Sequence, residues 1–190
     1  MQAASYAMIE DEGLLPKDLT NVCGNQGHYP LLQEVIIEAI SGNSIATSEV
    51  SKQCGIGSTC IVPSGITLKV DSKLNVGALV VRGVVEWNDS TQVEESVFLC
   101  AGYFAVEEHG QWHMNLQEKN AFLYIKDNGA EHEHLRTRAF GSYANATLGE
   151  YTIIDINGRE LDRTWSLLAS PLRQGGNKIT LMHNPKLMGW

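Results

Sequence analysis

The chain has 190 residues, 43% of them hydrophobic, and a formal net charge of −8. This length and composition allow one main domain with a buried core. The acidic balance excludes a nucleic-acid surface, which requires clustered Lys and Arg. The sequence as given contains neither a long apolar run nor the basic start and apolar middle of a signal peptide, so we expect no membrane-spanning segment.

The first organised segment is "YPLLQEVIIEAISGN". Its apolar residues recur at three- and four-residue spacing behind Pro30, and Gly42 follows the last of them. This pattern predicts a helix from about Pro30 to Ile40, and "TSEVSKQ" a second short helical turn. Residues 1–60 are therefore expected to form an N-terminal helical cap region.

After Cys60 the chain alternates apolar and polar positions and is rich in β-branched residues, which is typical of strands. Short strand-like segments follow one another, separated by corners. We predict that residues 61–190 form a mainly β domain, a right-handed parallel β-helix whose first coil is covered by the N-terminal capping α-helix. An antiparallel β-sandwich is the alternative that these strand lengths also allow. The corners are marked by Gly83, Gly110, Gly129 and Gly158.

The four cysteines form an even set without a CxxC pair, which favours disulfides over a structural zinc site. The glycines of "CGIGSTC" allow Cys54 to close on Cys60, which leaves Cys23 to pair with Cys100. Two other pairings stay open. Disulfides predict an extracellular or cell-surface location. Two glycosylation sequons, at Asn88 and Asn145, point to the same location.

The densest cluster of chemically active side chains lies in "KDNGAEHEHLRTR". If the second half of this segment is one strand, its alternating residues share a face. Two imidazoles with a carboxylate can bind a metal, and a basic row beside an acid can hold a uronic acid or abstract its proton. A solvated turn and strand face is the simpler interpretation, and no third ligand supports a metal. The cluster comprises Lys126, Asp127, His132, His134, Arg136 and Arg138.

Two further clusters carry ionisable groups. "EEHGQWHM" contains His109 and His113 around Trp112, and predicts an exposed corner followed by an inward Trp. "INGRELDRTW" contains carboxylates that can in principle act as an acid and base pair, although a salt-bridged surface is simpler. We find no nucleophile elbow, Walker loop or dinucleotide fingerprint, so no nucleotide cofactor is expected. The charged residues of the last segment are Arg159, Glu160, Asp162 and Arg163.

Several of these segments, in their order, resemble the G8 domain, a family named for its eight glycines. "VPSGITLKVDSKLNVGALVVRGVVEWND" resembles its opening, "LCAGYFAVEEHGQWHM" its next coil and "AFLYIKDNG" its central strand. "IDINGRELDRTWSLLASPL" resembles its glycine-then-Trp segment, and "MGW" the place where such domains run on into a further strand. The resemblance covers roughly residues 61 to 190.

The resemblance implies a β-helical, largely extracellular module, as found in hyaluronan-degrading cell-surface proteins and fibrocystin-like proteins. Those proteins are much longer than this chain, which lacks the later coils where a complete polysaccharide groove is expected. The resemblance also implies that Trp165 buries most of its ring between neighbouring coils.

Two functions remain as hypotheses. The first is a non-catalytic extracellular module that contacts a glycan, or a cell-surface or matrix protein, within a larger protein. The alternative is a depolymerase of hyaluronan or another uronan, a hydrolase or lyase, with calcium as a candidate cofactor and Asp127, His132, His134, Arg136 and Arg138 nearest its cleft. An open terminal coil would also allow end-to-end self-association.

Overall fold

The computed structural model describes residues 22–24, 27–29, 31–160, 164–171, 174–175 and 179–188. Across these residues the structure is mainly β, as predicted, with parallel sheets and one short α-helix among the elements described. The chain divides into two compact units, the first of residues 18–158 and the second containing residues 159–190. All of the large sheets lie in the first unit.

The elements follow one another closely along the chain. In order they are β1 (Gln33–Ile36), β2 (Ser44–Ala46), α1 (Thr47–Gln53), β3 (Ser58–Val62), β4 (Thr67–Lys69), β5 (Leu74–Asn75), β6 (Ala78–Val81), β7 (Val84–Asn88), β8 (Ser96–Ala101), β9 (Phe104–Glu107), β10 (Gln111–Asn115), β11 (Asn120–Ile125), β12 (Glu131–His132), β13 (Arg136–Thr137), β14 (Phe140–Tyr143), the 3₁₀ turn Ala146–Leu148, β15 (Ile153–Asn157) and the 3₁₀ turn Pro185–Met188.

Three sheets are built by strands that the chain contributes in turn. The first has the order β1-β3-β6-β9-β14, the second β15-β10-β7-β4-β2 and the third β11-β8-β5. Every pair within these sheets is parallel. Between two paired strands the chain passes through strands of other sheets. It therefore returns to each sheet in the same direction, and paired strands are parallel. The antiparallel sandwich considered from the sequence is therefore wrong.

The helix predicted from about Pro30 to Ile40 is also wrong. Within residues 31–40, Gln33–Ile36 form the strand β1, which pairs in parallel with Ser58–Ile61 of β3. β-branched side chains in this segment favour a strand once a partner strand is available. Gly42 does adopt a left-handed φ of +68°, but it does so in the turn before β2.

The short helix predicted for "TSEVSKQ" is confirmed as α1 (Thr47–Gln53). Asp71, at the corner after β4, holds its first turn by accepting hydrogen bonds from the Ser48 backbone N–H at 3.0 Å and the Thr47 hydroxyl at 2.7 Å. Although partial burial opposes it, hydrogen bonding from Ser48 and Thr47 lowers the pKa of Asp71. The helix is thus tied to the sheets by a carboxylate that is distant in sequence.

The main core lies between the inward faces of the sheets. Trp87 and Trp112 are fully buried, and the ring of Phe104 meets that of Trp112 edge-on at 6.1 Å between centroids. On β6, Leu79 belongs to this core whereas Val80 belongs to a second apolar cluster on the opposite face of the first sheet. The strand is apolar on both faces because both faces are covered.

Close backbone approach explains two of the corner glycines. A Cβ on Gly83 would lie 2.3 Å from the carbonyl oxygen of Ile66, and one on Gly110 would lie 2.1 Å from that of Val81. Neither glycine has a positive φ. They are needed for space between successive corners and not for an unusual backbone angle.

In the second unit, Trp165 is 56% exposed and its ring meets that of His183 edge-on at 6.2 Å. The burial predicted from the resemblance is therefore wrong. The local backbone pairs antiparallel through a bridge between Leu168 and Leu181. Asp162 and Arg163 of the neighbouring cluster lie outside the described residues.

Two disulfides cross-link the first unit. Cys54 is bonded to Cys60, and Cys23 to Cys100, which are the pairs favoured by the sequence. Such bonds are typical of proteins in oxidising compartments, extracellular ones above all. Among the described residues, no helix has the length and apolar character needed to cross a membrane.

Candidate functional site

His132 of the sequence-predicted cluster is a buried structural residue. Its Nε2 lies 2.6 Å from Oε1 of Glu107, and its Nδ1 accepts the backbone N–H groups of His134 and Leu135 at 3.2 and 3.0 Å. Because Nδ1 accepts hydrogen bonds, the proton of the ring is on Nε2, which donates a hydrogen bond to Oε1 of Glu107. Both ring nitrogens are therefore committed, and no lone pair is left for a metal.

The cluster does not share one strand face, contrary to the prediction. Residues 131–137 form a hairpin in which Glu131–His132 pair antiparallel with Arg136–Thr137. The ring of His134 stacks on Tyr143 at 3.6 Å between centroids, away from His132 at 6.0 Å. No set of three His, Cys, Asp or Glu side chains within the described ranges has metal-binding geometry.

The two arginines of the cluster are held by carboxylates on the surface. Arg136 lies 3.0 Å from Glu131, and Arg138 lies 3.5 Å from Asp127. All four side chains are more than half exposed, so each pair contributes little to stability. The hairpin also covers the second apolar cluster through Leu135. The segment predicted to carry chemistry is thus a cover of the first sheet.

Lys126 is buried, unlike the exposed arginines of this cluster. Its Nζ donates to Oδ1 of Asn75 at 2.8 Å and to the carbonyl of Val76 at 2.7 Å. Burial lowers the pKa of Lys126 to about 8 because the charged form loses hydration. Asn75 in turn donates to the carbonyl of Cys23, so Lys126 belongs to a buried polar chain beside the Cys23–Cys100 disulfide.

The other two clusters are dispersed. His109 packs against Tyr151 at a corner, whereas His113 points outward from β10, and Trp112 between them is buried as the sequence predicted. Arg159 and Glu160 are exposed. No shared site is formed by these described residues.

A set of polar side chains lies on the outward side of the second sheet, and the sequence analysis named only two of them, Asn88 and His113, without linking them. On β7 and β10 the inward residues are buried or half-buried, so the alternate positions face outward, whereas the edge strand β15 is exposed on both faces. Register places these outward residues in rows across the strands. We call this surface the polar face, and it consists of Lys69, Glu86, Asn88, Gln111, His113, Asn115, Asp155 and Asn157.

Two rows dominate the polar face. The first is an ionisable row in which Glu86 is in register with His113 and His113 with Asp155. The second is an asparagine row, Asn88, Asn115 and Asn157, two residues further along the same strands. Neighbouring parallel strands lie about 4.8 Å apart, so the asparagine row repeats an amide, and the ionisable row a titratable side chain, at that interval.

Hydrogen bonds between the rows orient the amides. Asn88 Nδ2 donates to Glu86 at 3.0 Å, and Asn157 Nδ2 donates to Asp155 at 2.8 Å. His113 Nε2 contacts Gln111 Oε1 at 3.0 Å. A carboxylate can accept several hydrogen bonds, so one amide donor leaves Glu86 and Asp155 able to accept further hydrogen bonds from a ligand.

A clamp at the end of the strands supports the asparagine row. Asp89, directly after Asn88, accepts the backbone N–H of Gln117 at 2.7 Å and that of Lys119 at 2.9 Å. The N–H groups of Gln117 and Lys119 lower the pKa of this carboxyl. The bonds to Asp89 fix the loop after β10 to the loop after β7. Within the first of these loops, Gln117 Nε2 also donates to Asn115 Oδ1.

A repeated pattern in the sequence could have revealed the polar face. "VVEWN", "QWHMN" and "IIDIN" share apolar second and fourth residues, an ionisable third residue and a final Asn. The pattern is apparent only after the three segments are aligned, and register supplies that alignment. No protein-family model, curated protein or solved structure matches the chain.

Proposed function

We propose that the chain is a non-catalytic β-helical module that works outside the cell and contacts a glycan through the polar face. The order in which the chain contributes strands to three parallel sheets supports the β-helical interpretation. The two disulfides support the location. The resemblance to the G8 domain implies the same class of module and rests on motif order alone.

The observation that carries this proposal is the pair of in-register rows on the polar face. Glycans present hydroxyl groups that both donate and accept hydrogen bonds, and side-chain amides and carboxylates match them. A protein-binding surface usually has an apolar core, whereas the ionisable and asparagine rows contain no large apolar side chain, and only Val84 and Ile153 flank Gln111 in the adjoining row. Glycan contact is therefore preferred to contact with a matrix protein.

A polysaccharide depolymerase is the second candidate, and one observation favours it. Glu86 and Asp155 lie on the strands that flank His113, so two carboxylates stand on either side of an imidazole. Two strand spacings are about 9.6 Å, close to the upper limit of the separation between the acid and the base of inverting glycosidases. The earlier candidates Asp127 and His132 are already bound to Arg138 and Glu107.

One experiment tests the proposal. The purified chain is incubated with neutral and uronic-acid polysaccharides, with and without calcium, and both binding and chain length are measured. Binding without shortening is the expected result. Shortening that is lost in Glu86→Gln or Asp155→Asn would establish the depolymerase. Binding to no glycan would overturn both candidates.

A further inference from the structure

We infer that the polar face takes an uncharged polysaccharide and excludes polyuronates, hyaluronan included. This inference rests on the proposed function, since it names the chemical class of the glycan. It runs against the expectation from the resemblance, because the charges around the face disfavour a polyanion.

The polar face offers no excess of positive charge. Its rows contain one lysine, Lys69, and two carboxylates, Glu86 and Asp155, while His113 lies between the carboxylates. A polyuronate placed along the ionisable row would bring its own carboxylates next to these two. Carboxylates of the ligand that lie close to Glu86 and Asp155 are repelled by them, which makes binding less favourable.

The cations beside the polar face are already engaged. Arg82, at the corner before β7, lies 3.1 Å from Glu107 and 3.2 Å from Glu108, so one guanidinium faces two carboxylates. Lys119, after β10, donates through Nζ to the backbone carbonyls of Asp89 and Gln92. Arg82 thus faces two carboxylates, and Lys119 lies beside the carboxylate of Asp89, so neither border carries an excess of positive charge.

The hairpin does not offer an alternative anion site. Arg136 and Arg138 each have a carboxylate partner, Glu131 and Asp127. With Arg82 these are the arginines of residues 31–158, and none of them is left without a carboxylate.

The spacing of the rows suits an extended neutral chain. A ligand that lies across the strands meets Asn88, Asn115 and Asn157 in succession, at intervals of about 4.8 Å. The amide of Asn88 is already engaged, since its Oδ1 accepts from Ser90 and Thr91 and its Nδ2 donates to Glu86. The row therefore offers a sugar hydroxyl the Nδ2 of Asn115 as a donor and the Oδ1 of Asn157 as an acceptor. Carboxylates in the neighbouring row accept from further hydroxyls, which an uncharged sugar supplies without electrostatic repulsion.

The test measures binding to soluble xylan, galactomannan, dextran, hyaluronan and polygalacturonate by affinity electrophoresis and calorimetry, at low and high salt. We expect binding to at least one neutral polysaccharide, with little dependence on salt because no ion pairs form. The double variant Asn115→Ala/Asn157→Ala should weaken that binding at least tenfold. Glu133→Ala, exposed on the hairpin, is the control and should bind as the unaltered chain does. Melting temperatures verify that each variant is folded.

A charge-reversal variant tests the electrostatic argument separately. Glu86→Lys/Asp155→Lys should gain salt-sensitive binding to polygalacturonate. If the unaltered chain binds hyaluronan or polygalacturonate as tightly as neutral glycans, this inference is overturned while the proposed function stands. Neutral-glycan binding that survives the double asparagine variant also overturns it. If no polysaccharide binds, the proposed function itself is overturned.

Discussion

Nε2 of His132 lies 2.6 Å from Oε1 of Glu107, and this hydrogen bond fixes the hairpin of residues 131–137 to the strand β9 of the first sheet. His132 is buried and its Nδ1 also holds the hairpin turn through two backbone N–H groups. A residue proposed from sequence as a catalytic or metal-binding group is thus a structural contact.

His132→Ala should therefore destabilise the protein by about 1 to 3 kcal/mol, since it leaves buried backbone groups without their acceptor. Arg138→Ala, which removes only an exposed pair with Asp127, should change the unfolding free energy by less than about 0.5 kcal/mol. Urea titrations of both variants measure the difference. Equal and negligible losses would contradict the structural role of His132.

The two disulfides should contribute unequally to stability. Cys23 and Cys100 are separated by 77 residues, whereas Cys54 and Cys60 are separated by 6. Loop-closure entropy gives about 4 to 5 kcal/mol for the long loop and about 2 to 3 kcal/mol for the short one. Unfolding of the paired Cys→Ala variants tests the order. A thiol count on the denatured, unreduced chain should find no free thiol, and four free thiols would remove the argument for an oxidising compartment.

The buried amine of Lys126 should make stability depend on alkaline pH. Its pKa in the folded chain is about 8, below its ordinary value of 10.5. Between these values the unfolded chain holds a proton that the folded chain lacks, so the contribution of Lys126 to stability rises with pH. Below about pH 8 both states are protonated and the cost of the buried charge is present in full.

Denaturant unfolding at about pH 7 and about pH 9.5 measures this effect. Because other groups titrate as well, the comparison is between Lys126→Met and the exposed-site control Lys69→Met. The control should keep the rise seen in the unaltered chain, and Lys126→Met should lose it. An identical pH dependence in the two variants would show that the Lys126 amine stays hydrated.

Alanine substitution should lower the free energy of unfolding at one corner glycine, Gly110, and leave it almost unchanged at another, Gly158. Gly110→Ala would place a Cβ 2.1 Å from the carbonyl oxygen of Val81, while a Cβ on Gly158 meets nothing within 4 Å. We expect a loss of about 1 to 3 kcal/mol for Gly110→Ala. Gly158→Ala should stay within about 0.5 kcal/mol of the unaltered chain. Thermal melts measure the stability of both variants. If Gly110→Ala were as stable as the unaltered chain, the backbones at neighbouring corners would be able to move apart.

The two sequons should be used differently in a secretory host. Asn88 lies on the polar face with Nδ2 donating to Glu86, so a glycan there would cover the proposed binding surface. Asn145 lies outside the sheets, where its Oδ1 accepts the hydroxyl and N–H of Thr147. Peptide mass spectrometry should find the glycan at Asn145 and an unmodified Asn88. Full occupancy of Asn88 would be incompatible with glycan binding by this face.

Features set by local chemistry could be predicted from the sequence. The strand-rich chain after Cys60, the helix Thr47–Gln53, the inward Trp112 and the closure of Cys54 on Cys60 all depend on residues close together in the chain. Alternation, β-branching, glycine content and cysteine spacing act over such short distances. This is why the class of fold was accessible without coordinates.

Features set by partners distant in sequence were decided only by the tertiary structure. Gln33–Ile36 form a strand because β3 lies beside them, although their spacing also suits a helix. His132 is buried where Glu107 of β9 supplies its partner, 25 residues away in sequence. The polar face exists only through register, which brings residues as far apart as Glu86 and Asp155 into one row. Local propensity carries no information about which distant strand will be the neighbour.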